Sequence, residues 1–196
     1  MNRPIAVAVT GSIGAGKSSV LAAFRAHGAA VVSSDEIVHH LLASDPDVKV
    51  ALVERLGDGV LDADGTPDRQ RIAGIVFEDR EKLAFLESLL HPLVSREYLT
   101  WRDQLAELPD PPRVCVTEVP LLYEVGAEGR FDKVVLVTAP PKLREQRRRV
   151  LRDDRDARLL PDKEKVERAD FTYVNTGTLD DLDAWVADLM SRLTSE

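Results

Sequence analysis

The sequence predicts a three-layer α/β fold built on a five-stranded parallel sheet with right-handed crossovers. Three observations predict it. Short continuous runs of β-branched and aliphatic residues recur along the chain, as strands buried on both faces require. Segments with apolar residues at helical spacing separate these runs. The first run leads straight into Gly11-Ser12-Ile13-Gly14-Ala15-Gly16-Lys17-Ser18, which fits G-x-x-x-x-G-K-[ST], the phosphate-binding loop joining a strand to a helix.

The first strand is Ile5–Thr10. The loop glycines let the backbone wrap closely around anionic oxygens, and the helix that follows adds free N–H groups and the positive end of its dipole. Gly11, Ser12, Ile13, Gly14, Ala15, Gly16, Lys17, Ser18 and Ser19 are expected to hold a nucleoside triphosphate. Lys17 supplies a mobile charge for the β- and γ-phosphates, and the Ser18 hydroxyl is placed to ligate Mg²⁺. The first helix is expected over Ser19–His27, with Val20, Ala23, Phe24 and His27 along one side and Gly28 as its stop.

A second strand, Ala29–Val32, ends at Ser33-Ser34-Asp35, and Glu36–Ala43 reads as a helix. Asp35 therefore falls at the carboxyl end of a strand, the sheet edge where ligands bind in open α/β folds. Two readings fit it. It is a helix N-cap, or it orients or deprotonates a phosphoryl acceptor. Ser34 would cap equally well, so the two are compatible.

Residues 46–57 form a helical stretch, broken at Gly57-Asp58-Gly59. Asp62–Pro67 is a turn, Asp68–Phe77 a helix carrying Arg69 and Arg71, and Arg80–Leu90 a further helix. His91-Pro92 is expected to interrupt it, because proline disfavours helix at the residue before it. The lack of any strand candidate between positions 36 and 112 makes this region a helical insertion, large enough for a substrate-binding flank.

After the rigid Pro109-Asp110-Pro111-Pro112, Arg113–Glu118 reads as the third strand, followed by a loop and short helix over Val119–Glu124. Lys133–Thr138 is the fourth strand, Leu143–Arg152 a basic helix, and Asp170–Val174 the fifth strand. Asn175-Thr176-Gly177 is a turn, and Leu179–Leu193 an amphipathic closing helix. The expectation is one domain over 1–196. Its core covers about 1–45, 112–140 and 169–196, its helical substrate part about 46–111, and its lid about 141–168.

Composition narrows the function. The 196 residues are 44% hydrophobic and 31% charged, an ordinary soluble balance. No apolar run approaches the roughly 20 residues that cross a bilayer, and no signal-peptide pattern precedes the first strand. Cys115, the only cysteine, lies in an apolar run, so an internal disulfide is impossible and a cytoplasmic location is expected. A net charge of −8 argues against a broad nucleic-acid surface. Within that acidic chain, residues 141–168 carry eleven Lys and Arg against seven Asp and Glu.

A phosphate loop in a chain of this size fits a small-molecule kinase, a GTPase or a fragment of a larger ATPase. No Asn-Lys-x-Asp for guanine occurs, which favours the kinase. A kinase must exclude water and needs a closing segment with positive charge, and residues 142–158 suit that role. Arg144, Arg148 and Arg152 share one helix face at i, i+4 and i+8, where they would clasp phosphates. The alternative is a solvated helix paired to Asp153, Asp154 and Asp156.

Beyond the phosphate loop, several stretches occur in a recognisable order. They are Asp64-Gly65-Thr66-Pro67-Asp68-Arg69, Ile75-Val76-Phe77, Leu86-Glu87, Leu90-His91-Pro92-Leu93, Glu118-Val119-Pro120-Leu121-Leu122-Tyr123-Glu124, Phe131-Asp132, Ala169-Asp170-Phe171 and Asn175-Thr176-Gly177. Together they resemble the dephospho-coenzyme A kinase family over most of the chain. The resemblance implies a P-loop kinase fold with a nucleotide-binding core, a helical CoA-binding part and a lid. It implies transfer of the ATP γ-phosphoryl group to the ribose 3′-hydroxyl of dephospho-CoA, with Mg²⁺. The alternatives are a kinase for another nucleoside-like metabolite, or a nucleotide-binding paralogue with a degenerate lid.

The resemblance assigns residues too. Asp35 matches the family's proposed base, Arg69 and His91 match positions on the CoA-binding side, and Asn175 matches the loop near adenine. Arg148 and Arg152 match an Arg-x-x-x-Arg by spacing. A packing role for His91 and simple turn chemistry for Asn175 remain alternatives. Ser33 stands where the family often has an acid, His39 where it commonly has Arg, and the lid is about eight residues shorter than in typical members. The expected partner is the small-molecule substrate alone, with no nucleic acid or membrane, in a monomer or small homo-oligomer.

Overall fold

A computed structural model describes residues 3–147 and 159–195. Five parallel strands form one sheet in the order β2-β3-β1-β4-β5: β1 is Ile5–Thr10, β2 Ala30–Ser33, β3 Val114–Glu118, β4 Lys133–Thr138 and β5 Phe171–Val174. Each run is continuous in apolar residues because both sheet faces are covered. Val7, Val9, Val114, Val116, Val135 and Val137 are fully buried. β1 lies at the centre, with Val9 opposite Glu118 on one side and Thr10 opposite Leu136 on the other. The loop after β1 therefore leaves the sheet between the ends of β3 and β4, where ligand crevices of such sheets lie.

The helices are α1 (Lys17–Ala26), α2 (Ser34–Ser44), α3 (Pro46–Leu56), α4 (Arg69–Val76), α5 (Arg80–Ala106), α6 (Pro141–Arg147), α7 (Asp162–Arg168) and α8 (Leu179–Ser195). The chain divides into two compact units, residues 1–33 with 101–196 and residues 34–100. The first holds the sheet, and its core joins Val20, Phe24, Val186, Leu189 and Leu193 of α1 and α8 to the strands. The second has its own core of Leu42, Val48, Leu52, Val60, Ile72, Val76 and Leu90. Its helix starts are set by Asp45 and Asp68, whose carboxylates accept from the second and third backbone N–H groups of α3 and α4.

Four elements depart from the sequence reading. α2 starts directly after β2, so Asp35 sits in the first helical turn and not at an N-cap. α5 runs unbroken through Pro92. The proline removes one helix hydrogen bond, but the apolar stripe Leu86, Leu89, Leu90 and Leu93 continues across it and packs on the second core, and packing overrides the local preference. Residues 120–126 form a turn, where a loop and short helix were expected over 119–124. α7 was not expected, and the basic helix is described only as far as Arg147.

Candidate active site

The phosphate loop is shaped by what surrounds it. Gly11 has φ 143°, and a Cβ there would run into the carbonyl oxygen of Val137 in β4. Gly16 caps α1 in the left-handed region at φ 94°, and a Cβ there would strike the side-chain amide of Asn175. Only glycine fits either place. The Asn175 amide, itself buried, donates to the carbonyl oxygen of Ala15 at 2.9 Å. Asn175 thus ties the β5–α8 turn to the underside of the loop, and Arg147 of α6 donates to the Asn175 carbonyl oxygen at 3.4 Å.

Lys17 turns back over the loop. Its ammonium donates to the carbonyl oxygens of Gly11 at 3.0 Å and Ser12 at 3.4 Å, and lies 3.7 Å from Glu118 Oε1 at the end of β3. Ser18 is exposed in the first turn of α1, and Ser12 is buried. The Ser12 hydroxyl donates to Asp162 Oδ1 at 2.6 Å, and the Thr138 hydroxyl at the end of β4 donates to Asp162 Oδ2 at 2.7 Å. Burial alone would raise the Asp162 pKa. The Ser12 and Thr138 hydrogen bonds, with the charges of Arg144 and Lys165, outweigh it and hold the carboxyl below its ordinary value.

A second polar knot fixes the segment before α7. Glu124 Oε1 accepts from the Leu160 backbone N–H at 2.9 Å. The wholly buried Lys165 ammonium forms an ion pair with the same oxygen at 2.7 Å. Beside it, the Arg168 guanidinium stacks 4.4 Å from the Tyr123 ring centroid and pairs with Glu128. Burial pushes the Tyr123 hydroxyl up to about 12.

The structure brings together Gly11 to Ser19, Asn175 and Glu118 in the first unit. Asp35, Arg69 and His91 belong to the second unit, and all are exposed there: Asp35 in the first turn of α2, Arg69 at the start of α4, His91 within α5. Arg148 and Arg152 lie outside the described residues. Among those residues, no group of His, Cys, Asp and Glu is clustered for a metal.

The family model for dephospho-CoA kinase matches residues 5–181. The chain belongs to the dephospho-CoA kinase family. A dephospho-CoA kinase of Protochlamydia amoebophila is 36% identical over 198 residues, covering 95% of each chain. Among solved structures, a Thermus thermophilus protein superposes with TM-score 0.78 at 32% identity, covering 98% of this chain and 99% of its own. The dephospho-CoA kinase of Campylobacter jejuni superposes with TM-score 0.68 at 25% identity, covering 96% of both chains.

Membership in this kinase family accounts for the fold and for the motif order. It does not by itself point to Asp162 or to the Glu124–Lys165 pair. Sequence reasoning passed over both, taking Glu124 only as part of a signature and 141–168 only as a basic segment. The signal for Lys165 was slight: a lysine one turn after Pro161, in the middle of a short, highly charged helix. Asp162 gave none, because its partners are 150 and 24 positions away.

Proposed function

We propose that this chain transfers the γ-phosphoryl group of ATP to the ribose 3′-hydroxyl of dephospho-CoA, giving CoA and ADP, the last step of coenzyme A biosynthesis. The observation that carries this reading is a phosphate loop backed by β4 and by Asn175, within a chain matched by the family model over residues 5–181. The loop's backbone N–H groups and the N-terminus of α1 receive the phosphate chain. The Lys17 ammonium, held over Gly11 and Ser12, balances charge on the β- and γ-phosphates.

The acceptor oxygen forms its bond to the γ-phosphorus as the bond to the β–γ bridging oxygen breaks, and ADP leaves with that electron pair. Asp35, exposed in the first turn of α2, takes or orients the acceptor's proton. Arg69 and His91, both exposed, are assigned to the CoA side, Asn175 to the nucleotide side, and Arg148 and Arg152 to the phosphates. Residues 141–168 serve as the lid. The residues present fit Mg²⁺: the exposed Ser18 hydroxyl and the Glu118 carboxylate are hard oxygen donors suited to an ion that keeps several waters. When bound, such an ion neutralises phosphate charge. No helix among the described residues is long and apolar enough to cross a membrane, and the buried free Cys115 suits the reducing cytoplasm.

Steady-state rates with ATP and each of dephospho-CoA, adenosine and adenosine monophosphate test the assignment. The expected result is a specificity constant for dephospho-CoA at least 100-fold above the other two, on the order of what a missing recognised group costs an enzyme. A preference for adenosine or adenosine monophosphate would make the chain a kinase of a different metabolite.

A further inference from the structure

The carboxylate of Asp162 stands beside a loop whose purpose is to receive anions, which is an unfavourable place for a negative charge. Its surroundings explain why it is tolerated. Oδ1 accepts from Ser12 at 2.6 Å, and Oδ2 accepts from Thr138 at 2.7 Å and lies 3.4 Å from Arg144 Nη1. Both oxygens are committed, at distances typical of hydroxyls donating to a carboxylate. Ser12 is also the residue whose carbonyl oxygen receives the Lys17 ammonium at 3.4 Å. Its side chain is thus anchored to Asp162 while its backbone supports the lysine that meets the phosphates.

Arg144 meets the loop through its backbone and Asp162 through its side chain. Its carbonyl oxygen lies 2.6 Å from where a Cβ on Gly14 would be, and its guanidinium pairs with Asp162. Its buried Nε has no hydrogen-bond partner among the described residues, so the guanidinium keeps donor capacity beyond that pair. Asp162 therefore links the loop, the end of β4, α6 and α7 through one side chain. Burial of Ser12 leaves that hydroxyl few other acceptors.

We infer that Asp162 is a positioning residue for the phosphate loop: it fixes Ser12, and through Ser12 the Lys17 ammonium, while holding α6 and α7 against the loop by its pairing with Arg144. This deepens the kinase reading and rests on it only for the identity of the acceptor. Removing the carboxylate frees Ser12 and leaves Arg144 without its counter-charge, so nucleotide binding weakens and the acceptor site is untouched.

The test is calorimetric titration of the purified full chain with ATP alone and with ADP alone, for Asp162→Ala, Asp162→Asn, Ser12→Ala and the Asp162→Ala/Ser12→Ala double variant. Far-UV circular dichroism and thermal midpoints accompany each titration. Asp162→Ala is expected to raise the ATP dissociation constant about 10-fold or more, and Ser12→Ala by a comparable factor. The double variant should be no worse than the weaker single one, as residues acting through one contact are non-additive. In turnover, the KM for ATP rises and that for dephospho-CoA stays unchanged, whereas a merely unstable variant loses active enzyme with both KM values intact. ATP affinity within about 2-fold of wild type in folded Asp162→Ala overturns the inference, as does additivity in the double variant. Should Asp162→Ala fail to fold, Asp162→Asn decides, since it keeps size and one acceptor but loses the charge. A rise of at least about 3-fold supports the inference, and a smaller one overturns it. Wild type that binds ATP yet makes no CoA would remove the proposed acceptor and leave the binding comparison standing.

Discussion

The phosphate loop and the helical unit of residues 34–100 are held together by opposite means. The loop is fixed by backbone and polar contacts from four sides: Val137 of β4 behind Gly11, Arg144 of α6 at Gly14, Asn175 behind Gly16, and Asp162 of α7 on Ser12. The helical unit is fixed by aliphatic side chains such as Leu42, Leu52, Ile72 and Leu90, and its assigned functional residues, Asp35, Arg69 and His91, are exposed. In the loop, the contacts that give shape bear directly on the residues proposed to bind phosphate. In the helical unit shape and chemistry sit on different residues and can be altered separately.

Gly11→Ala should break the loop most severely. It places a side chain at φ 143° and into the Val137 carbonyl oxygen, so ATP binding is expected to be lost, with a stability cost of about 3 kcal/mol or more, checked by calorimetry and denaturant unfolding. Leu52→Ala sharpens the other half. Leu52 is wholly buried in the second core, and its truncation should cost about 2–5 kcal/mol while the ATP dissociation constant stays within about 2-fold of wild type. A large loss of ATP affinity in folded Leu52→Ala would erase the distinction between the two regions.

Acid should act on the sheet-bearing unit through two partly buried carboxylates. Burial works against the Asp162 charge, but its hydrogen bonds and Arg144 hold its folded-state pKa below the ordinary value of 3.8. Asp132, which accepts from both Arg3 nitrogens and from the Ala6 backbone, is depressed as well, against its own burial. A depressed carboxyl contributes its full stabilisation above the unfolded-state value and loses it as pH falls through the folded-state value. Unfolding free energy should therefore drop as pH falls from about 5 through 3.8 and on through the lower folded-state values, and Asp162→Asn should drop less over the same range. Equal slopes in urea titrations would show that Asp162 gains nothing from its setting.

The legible parts of the sequence were those governed by local rules. Strands β1, β3, β4 and β5 lay within one residue of expectation, because continuous β-branched runs have few other uses. The glycine pattern specified the loop down to Lys17. The continuity of α5 was not legible, because Pro92 is a strong local signal and the apolar stripe that overrides it acts only once Leu52 and Ile72 are in place. Nor was the role of α7: Asp162 and Lys165 matter through Ser12, Thr138 and Glu124, residues that meet them only after the sheet has formed. Asp35 was expected before the second helix, and the structure places it inside α2, in the first turn.

The central proposal is that the Gly11–Ser18 loop binds the ATP phosphates and that Asp35 handles the acceptor's proton. Asp35→Asn tests it most directly, with kcat for CoA formation and the ATP dissociation constant measured on the same preparation. The account predicts a fall in kcat of about 10³-fold, in the range for removing a general base, with ATP affinity and thermal midpoint unchanged. Turnover within about 3-fold of wild type would remove Asp35 from the chemistry and contradict the account.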